Sequence, residues 1–314
     1  MRRPGTGRGP DWLDRLEEVT ADAEAVEAAV AGATGDPFTV EEVLKDHPRR
    51  LVLAATLAGA PVVVKMFRTP DAAAILAAKA AELERAAAAL AGAHPPCAVA
   101  GLRLALPEAG IAVQDRAPGE RFDRVLSGAG RVRRAVLLSH AGRWLRAYAG
   151  QTGERHPFAP AHWLRRAEPG LAQLDVAVRD RVKDQLGALA AAAKGKPVER
   201  AAVHGDWSPL NAFHDGEVLT GIDVQGLSNL PVALDAARFL TGMAVFVMGR
   251  PAEDGIPAED IRAFEAGLDE VDRALALPFF IGVELVRRLV GNRGTDAGAR
   301  AEAALRAWLD TPAP

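Results

Sequence analysis

A chain of 314 residues is long enough for two compact units. Its formal net charge of -3, with 49% hydrophobic and 25% charged residues, describes an ordinary globular protein and excludes a dedicated nucleic-acid binder, which needs a basic surface. The lone cysteine, Cys97, excludes an intrachain disulfide, and no stretch approaches the roughly 18 consecutive apolar residues of a membrane span. The basic, Gly- and Pro-rich start is followed by no apolar segment of secretory type, so a cytoplasmic protein is expected.

In chain order, Trp12 to Val30 carries apolar residues at helical spacing among acids and predicts an amphipathic helix. Leu51 to Leu57 and Val62 to Phe67, separated by Ala58-Gly59-Ala60-Pro61, predict two strands joined by a short turn. Thr69-Pro70-Asp71 predicts a helix start, with Thr69 as the N-cap and Pro70 at the first helical position. That helix runs to about Leu90, with Leu76, Leu83 and Leu90 on its buried side, and ends before Gly92 and Pro95. Two more strands are expected around Ala98 to Leu106 and Gly110 to Asp115. Beyond Ala117-Pro118-Gly119-Glu120 the chain reads as helical over Val132 to Tyr148, Leu171 to Ala193, Ile261 to Leu275 and Phe279 to Trp308. An island around Val203 to Val224 interrupts the helices, with a strand expected over Val218 to Val224 after the Asp215-Gly216 turn.

The chemistry gathers in that island. His204-Gly205-Asp206 is followed by Asn211, five residues after the aspartate, and then by Ile222-Asp223. Phosphoryl transfer from a nucleotide asks little covalent work of a protein. It needs a group to orient or deprotonate the attacking hydroxyl, and hard oxygen ligands that hold Mg against the phosphates. Asp206 can meet the first need, and Asn211 and Asp223 the second. The pattern His-Gly-Asp-x-x-x-x-Asn followed by Ile-Asp closely resembles the catalytic and metal loops of the aminoglycoside phosphotransferase and choline kinase family, whose fold is protein-kinase-like.

That resemblance implies an α+β, two-lobed fold with a small β-rich N-lobe and a larger, mostly helical C-lobe. The expected division is a lead-in and helix over 1–34, a nucleotide-binding N-lobe over 35–116, and a catalytic and acceptor-binding C-lobe over 117–314. It implies a kinase that moves the γ-phosphoryl group of Mg-ATP or Mg-GTP to a hydroxyl of a small-molecule acceptor. Asp206 is then the catalytic base, Asn211 and Asp223 the Mg2+ ligands, and His204 the histidine that buttresses the loop. Asp235 matches a family acid that braces the same loop, and an ordinary helix acid fits its position equally well.

The N-terminal half supplies matching parts. Lys65 ends the apolar run Val62-Val63-Val64, where a kinase-like lobe keeps the lysine that meets the nucleotide phosphates. Glu82 and Glu84 flank the Leu83 stripe, and Glu82, on the more apolar side, is the favoured partner for that lysine. Gln114 and Asp115, just before the Pro-Gly step, correspond to the segment whose backbone meets the base. The sequence also departs from the family of protein kinases: Lys45 to Arg50 stands where a glycine-rich phosphate loop belongs. A nucleotide-binding regulator without turnover is the alternative, opposed by the presence of all four of Lys65, Asp206, Asn211 and Asp223. A two-metal phosphohydrolase needs clustered histidines, and these seven are scattered.

Overall fold

The computed structural model describes residues 11–150, 152–248, 255–268 and 276–311. These divide into two compact units, one formed by described residues within 11–84 and 100–116, the other by those within 85–99 and 117–311. The first ten residues of the expected lead-in lie outside the described residues.

The first unit opens with helix α1 (Asp11–Thr34), followed by strands β1 (Phe38–His47), β2 (Arg50–Leu57) and β3 (Ala60–Phe67) and the start of α2 (Ala72–Leu90). Strand β4 (Cys97–Val99) belongs to the second unit, and β5 (Leu102–Leu106) and β6 (Ile111–Asp115) return to the first. The five-stranded sheet has the order β1-β2-β3-β6-β5, with every neighbouring pair antiparallel. Alternation gives the sheet two distinct faces. Leu51, Leu53, Val62, Val64, Ile111 and Val113 point to one face and form a closed core with Val26 and Val30 of α1. Val52, Lys65 and Ala112 oppose one another directly and therefore share the other face.

Strand β1 is absent from the sequence reading. Its residues FTVEEVLKDH are mostly exposed, and two register shifts, between Val40 and Glu42 and between Val43 and Lys45, break the period of two on which such readings rest. The expected cap is corrected as well. Helix α2 begins at Ala72, whose amide donates to the Thr69 carbonyl, and the Thr69 hydroxyl, although shielded from water, makes no hydrogen bond among the described residues.

In the second unit, β7 (Glu120–Arg121), α3 (Phe122–Ser127), α4 (Arg131–Gly150), β8 (Glu154–Pro157), α5 (Pro160–Leu171), α6 (Val176–Ala193) and β9 (Pro197–Val203) lead to the Asp206 loop. Strands β10 (Ala212–His214), β11 (Leu219–Gly221) and β12 (Leu227–Pro231) and helices α7 (Val232–Phe246), α8 (Ala258–Leu268), α9 (Ala276–Gly291) and α10 (Asp296–Leu309) complete it. One small sheet has the order β4-β11-β10-β7 and the other β12-β9-β8. Where one helix was expected over Phe279 to Trp308, there are two. Asn292-Arg293-Gly294 makes a turn with Gly294 at φ 78°, and Thr295 caps α10 by accepting from the Gly298 amide. The helix expected over Ile261 to Leu275 starts earlier, at Ala258, and 269–275 lie outside the described residues. The expected strand over Val218 to Val224 is short, ending at Gly221. No described helix is long and apolar enough to cross a membrane.

The core of this unit is aromatic. Trp144 of α4 stacks on Tyr148 at 5.1 Å and on Trp207 at 4.1 Å, and all three are fully buried. Helices α4 and α8 cross where both lack side chains: a Cβ built on Gly267 would lie 2.0 Å from the Ser139 carbonyl oxygen. Gly267→Ala is therefore expected to destabilise the protein by about 1–3 kcal/mol through overpacking. The control is Gly187→Ala on α6, which faces open space and should gain up to about 1 kcal/mol from helix propensity. Urea midpoints of the two variants check the contrast, and equal shifts would contradict the reading.

Candidate active site

The Asp206 loop leaves β9 at Val203 and is held from behind before it presents any chemistry. Gly205 sits at φ 91°, a left-handed conformation, and a Cβ there would meet the Gln225 Cβ at 2.9 Å, so glycine is required on both counts. The Gly205 amide donates to Asp235 Oδ2 at 2.9 Å, and its carbonyl accepts from Arg238 Nη1 at 2.6 Å. Asp235 is fully buried on α7, and its other oxygen accepts from the same Arg238 at 2.8 Å. The acid three residues before a basic residue on one helix thus fixes both polar groups of one peptide residue. Asp235 does brace the loop, as the family resemblance implied.

His204 ties the loop to the next strand. Its Nδ1 accepts from the Asp206 amide at 3.2 Å and its Nε2 lies 2.8 Å from the Ile222 carbonyl, which assigns the proton to Nε2. Burial pushes the His204 pKa below its ordinary 6.5, against the opposing pull of Asp235, the Ile222 carbonyl, Asp206 and Asp223, so the ring is neutral. The backbone pairs the two segments again: the Gln225 amide donates to the His204 carbonyl, and the Ile222 amide to the Asn211 carbonyl. Trp207, the next residue along, is locked in the Trp144 stack.

On this frame Asp206 and Asn211 are brought together. Asn211 Nδ2 donates to the Asp206 carbonyl at 2.8 Å and to Asp206 Oδ2 at 3.1 Å. The turn between them is shaped by Pro209 and by Ser208, whose hydroxyl accepts from the Leu210 amide. With Nδ2 so committed, the oxygen of the Asn211 side chain is left for a cation, and Asp206 Oδ1 accepts no hydrogen bond among the described residues. Asp223 follows β11 with φ 57°, a left-handed conformation that a short acidic side chain tolerates. No group of three or more His, Cys, Asp and Glu side chains able to hold a metal by themselves occurs among the described residues. An amide oxygen and a carboxylate are hard ligands that suit Mg2+ shared with phosphate oxygens and water, and a cage of protein ligands is not required.

Three further charges behind the loop, the buried Glu284 and Arg288 and the partly buried Arg238, escaped the sequence reading. Besides Asp235, Arg238 approaches Glu284 at 3.5 Å, and Glu284, on α9, also accepts from Arg287 at 2.6 Å. Arg288 donates to the Thr241 hydroxyl at 2.8 Å and to the Arg238 carbonyl at 2.6 Å, and burial lowers its pKa to about 10. The spacing Asp235-x-x-Arg238 is a signal that one helical turn of an apolar helix carries an ion pair. Nothing local marks Glu284 and Arg288 as buried.

In the first unit, Lys65 is 5% exposed on the sheet face opposite α1. On α2, Glu82 is half-buried whereas Glu84 is exposed. Gln114 is buried on β6, opposite Val63. The Asp115 carboxylate pairs with Arg103, its amide donates to the Gly101 carbonyl at 2.8 Å, and the Arg116 amide donates to the Pro61 carbonyl at 3.3 Å. Neither amide is left to donate to a base.

No protein-family model matches this sequence, and no curated protein matches it significantly. Solved structures do. A choline/ethanolamine kinase family protein from Mesorhizobium loti superposes with a TM-score of 0.59 at 19% identity, over 94% of this chain and 96% of the other. A thermostable mutant of aminoglycoside phosphotransferase APH(4)-Ia, in ternary complex with AMP-PNP and hygromycin B, superposes with a TM-score of 0.59 at 17% identity, over 91% and 99%. Choline kinase from Cryptosporidium parvum gives 0.55 at 11% identity, over 87% and 88%.

Two outcomes check the electrostatics. Asp235→Asn should cost about 3 kcal/mol, because it removes the nearer of the two carboxylates, Asp235 at 2.8 Å and Glu284 at 3.5 Å, that pair with the largely shielded Arg238. Burial also depresses the pKa of His140 and His214. The unfolded chain therefore takes up protons near pH 6.5 before these rings do, and stability should fall as the pH drops below about 6.5. The depressed carboxylates Asp46 and Asp215 add their loss only lower, below their ordinary 3.8. His204→Gln should lower stability at pH 7 and flatten the slope between pH 7 and 5; an unchanged slope in denaturant titrations would refute the neutral, buried ring. The chain thus has the fold of the choline kinases and aminoglycoside phosphotransferases.

Proposed function

We propose that this protein is a small-molecule kinase that transfers the γ-phosphoryl group of Mg-ATP or Mg-GTP to a hydroxyl of its acceptor. The observation that carries the reading is the braced loop, in which Asn211 holds Asp206 with one carboxylate oxygen left open. Nucleotide- and acceptor-bound forms are known for a structure of this fold, the AMP-PNP and hygromycin B complex of APH(4)-Ia.

In this mechanism the acceptor hydroxyl donates its hydrogen bond to Asp206. As the acceptor oxygen bonds to the γ-phosphorus, the bond from that phosphorus to the bridging oxygen breaks, the proton passes to Asp206, and the nucleoside diphosphate leaves. Mg2+, held by Asn211 and Asp223, would neutralise the phosphate charge that the transition state accumulates. Lys65 meets the phosphates, and Glu82 orients Lys65. Gln114 and Asp115 border the base. The committed amides of Asp115 and Arg116 leave it to the remaining backbone to supply any donor. Asp235, Arg238 and His204 position the loop and take no part in the proton transfer.

Asp206→Ala is expected to reduce turnover by about 10²-fold or more while nucleotide affinity stays near that of the wild type. Asp223→Ala should remove most of the Mg dependence of nucleotide binding. Titration of each variant with ATP, with and without Mg2+, reads both effects. Near-wild-type turnover in Asp206→Ala would sink the mechanism.

A further inference from the structure

Arg85 lies on α2 one turn after Glu82, on the same half-buried flank of the helix, and belongs with the second unit. It grips a single residue of α4 in two ways. Its guanidinium carbon sits over the Tyr148 ring, 4.4 Å from the centroid, and its Nη1 donates to the Tyr148 carbonyl at 3.3 Å. Tyr148 is fully buried and Arg85 half-buried, so this cation–π contact is less screened than one in open water.

From Tyr148 the rings continue face to face. Trp144 stacks on it at 5.1 Å with 11° between the planes, and Trp207 stacks on Trp144 at 4.1 Å with 14°. Trp207 directly follows Asp206 in the chain. Stacked rings thus lead from Arg85 to the neighbour of the candidate base.

Two features let this stack set the loop. The buried Trp207 indole N–H makes no hydrogen bond among the described residues, so ring contacts alone decide where that side chain sits. Trp144, by contrast, is anchored, with its Nε1 donating to the Ala98 carbonyl at 2.8 Å. The same indole lies against the second chemical segment as well. A Cβ built on Gly221, two residues before Asp223, would stand 2.5 Å from Trp144 Cζ2. One ring therefore supports the segments that carry both Asp206 and Asp223.

We propose that Arg85 is a positioning residue for Asp206, acting through Tyr148, Trp144 and Trp207. A shift of the α2 turn that carries Arg85 reaches the Asp206 loop along the stack. Small displacements of a reacting group are costly to turnover, so a contact remote from the chemistry can govern it. The catalytic meaning of this role rests on the proposed phosphoryl transfer; its structural meaning does not.

The test compares Arg85→Met, which removes the charge and keeps the length, with Arg85→Lys, which keeps a cation over the ring. Arg85→Met should lower kcat for γ-phosphoryl transfer by about threefold to thirtyfold, the range of a cation–π contact, with the nucleotide KM unchanged. Arg85→Lys should recover most of that loss, and urea midpoints verify that both variants are folded in the assay. The second readout needs no turnover. Stacked indoles couple their electronic transitions, and the exciton couplet of Trp144 with Trp207 in circular dichroism is identified by its loss in Trp144→Phe. Arg85→Met leaves both indoles in the chain, yet should shrink the couplet, and Arg85→Lys should keep it. Wild-type kcat in Arg85→Met, or a couplet that Arg85→Met does not alter, would overturn the role. No transfer by the wild type would overturn the phosphotransferase reading instead, and the couplet would still decide whether Arg85 sets the stack.

Discussion

A catalytic aspartate on a loop is useful only if the loop cannot relax, and a loop that carries a left-handed glycine has every freedom to do so. Here both polar groups of Gly205 are taken by an ion pair, the fully buried Asp235 with the partly buried Arg238, one turn apart on α7. This pair is a demanding device. Removing an aspartate and an arginine from water costs several kcal/mol each, and the cost is met only because every oxygen and most N–H groups have partners. The return is conformational: with Gly205 fixed, His204 can join the Asp206 amide to Ile222, and Trp207 can close the Trp144 stack. The backbone that displays Asp206, Asn211 and Asp223 is thus tied down at His204, Gly205, Ile222 and Gln225.

The sequence displays this site unevenly. The display residues were legible because phosphoryl transfer demands particular oxygen ligands at a particular spacing, and His204, Gly205, Asp206, Asn211 and Asp223 stand together in twenty residues. Of the supports, the resemblance offered His204 and Asp235, and the other charges were not legible. Glu284 and Arg288 lie more than sixty residues beyond Asp223 on a helix whose apolar period gives no warning that it also carries charge inward. Burial of a charge is a tertiary fact, and local periodicity does not report it.

The fold was legible where burial follows a simple period. β2 and β3, rich in Val and Leu, and the leucine stripe of α2 stand out for that reason. Strand β1 was missed because its two bulges and exposed acids disrupt alternation. The division of the C-terminal helix was missed because apolar spacing resumes in phase beyond Asn292, and only Gly294 and Thr295 mark the break. Thr69 looked like a helix cap by residue type, yet the helix starts three residues later and leaves the hydroxyl unused. In that case the departure from local rules is itself informative, since unsatisfied polar groups in folded proteins tend to mark functional positions.

The central claim is that a braced Asp206 and its oxygen-ligand neighbours move a phosphoryl group, and label transfer tests it most directly. Purified protein would be incubated with Mg2+, γ-labelled ATP or GTP, and a pooled panel of amino alcohols, sugars and aminoglycosides, beside an Asp206→Ala control. The account predicts a labelled organic product with the wild type and none with the variant. Clear Mg-nucleotide binding with no labelled product from any acceptor in a full metabolite extract would contradict it.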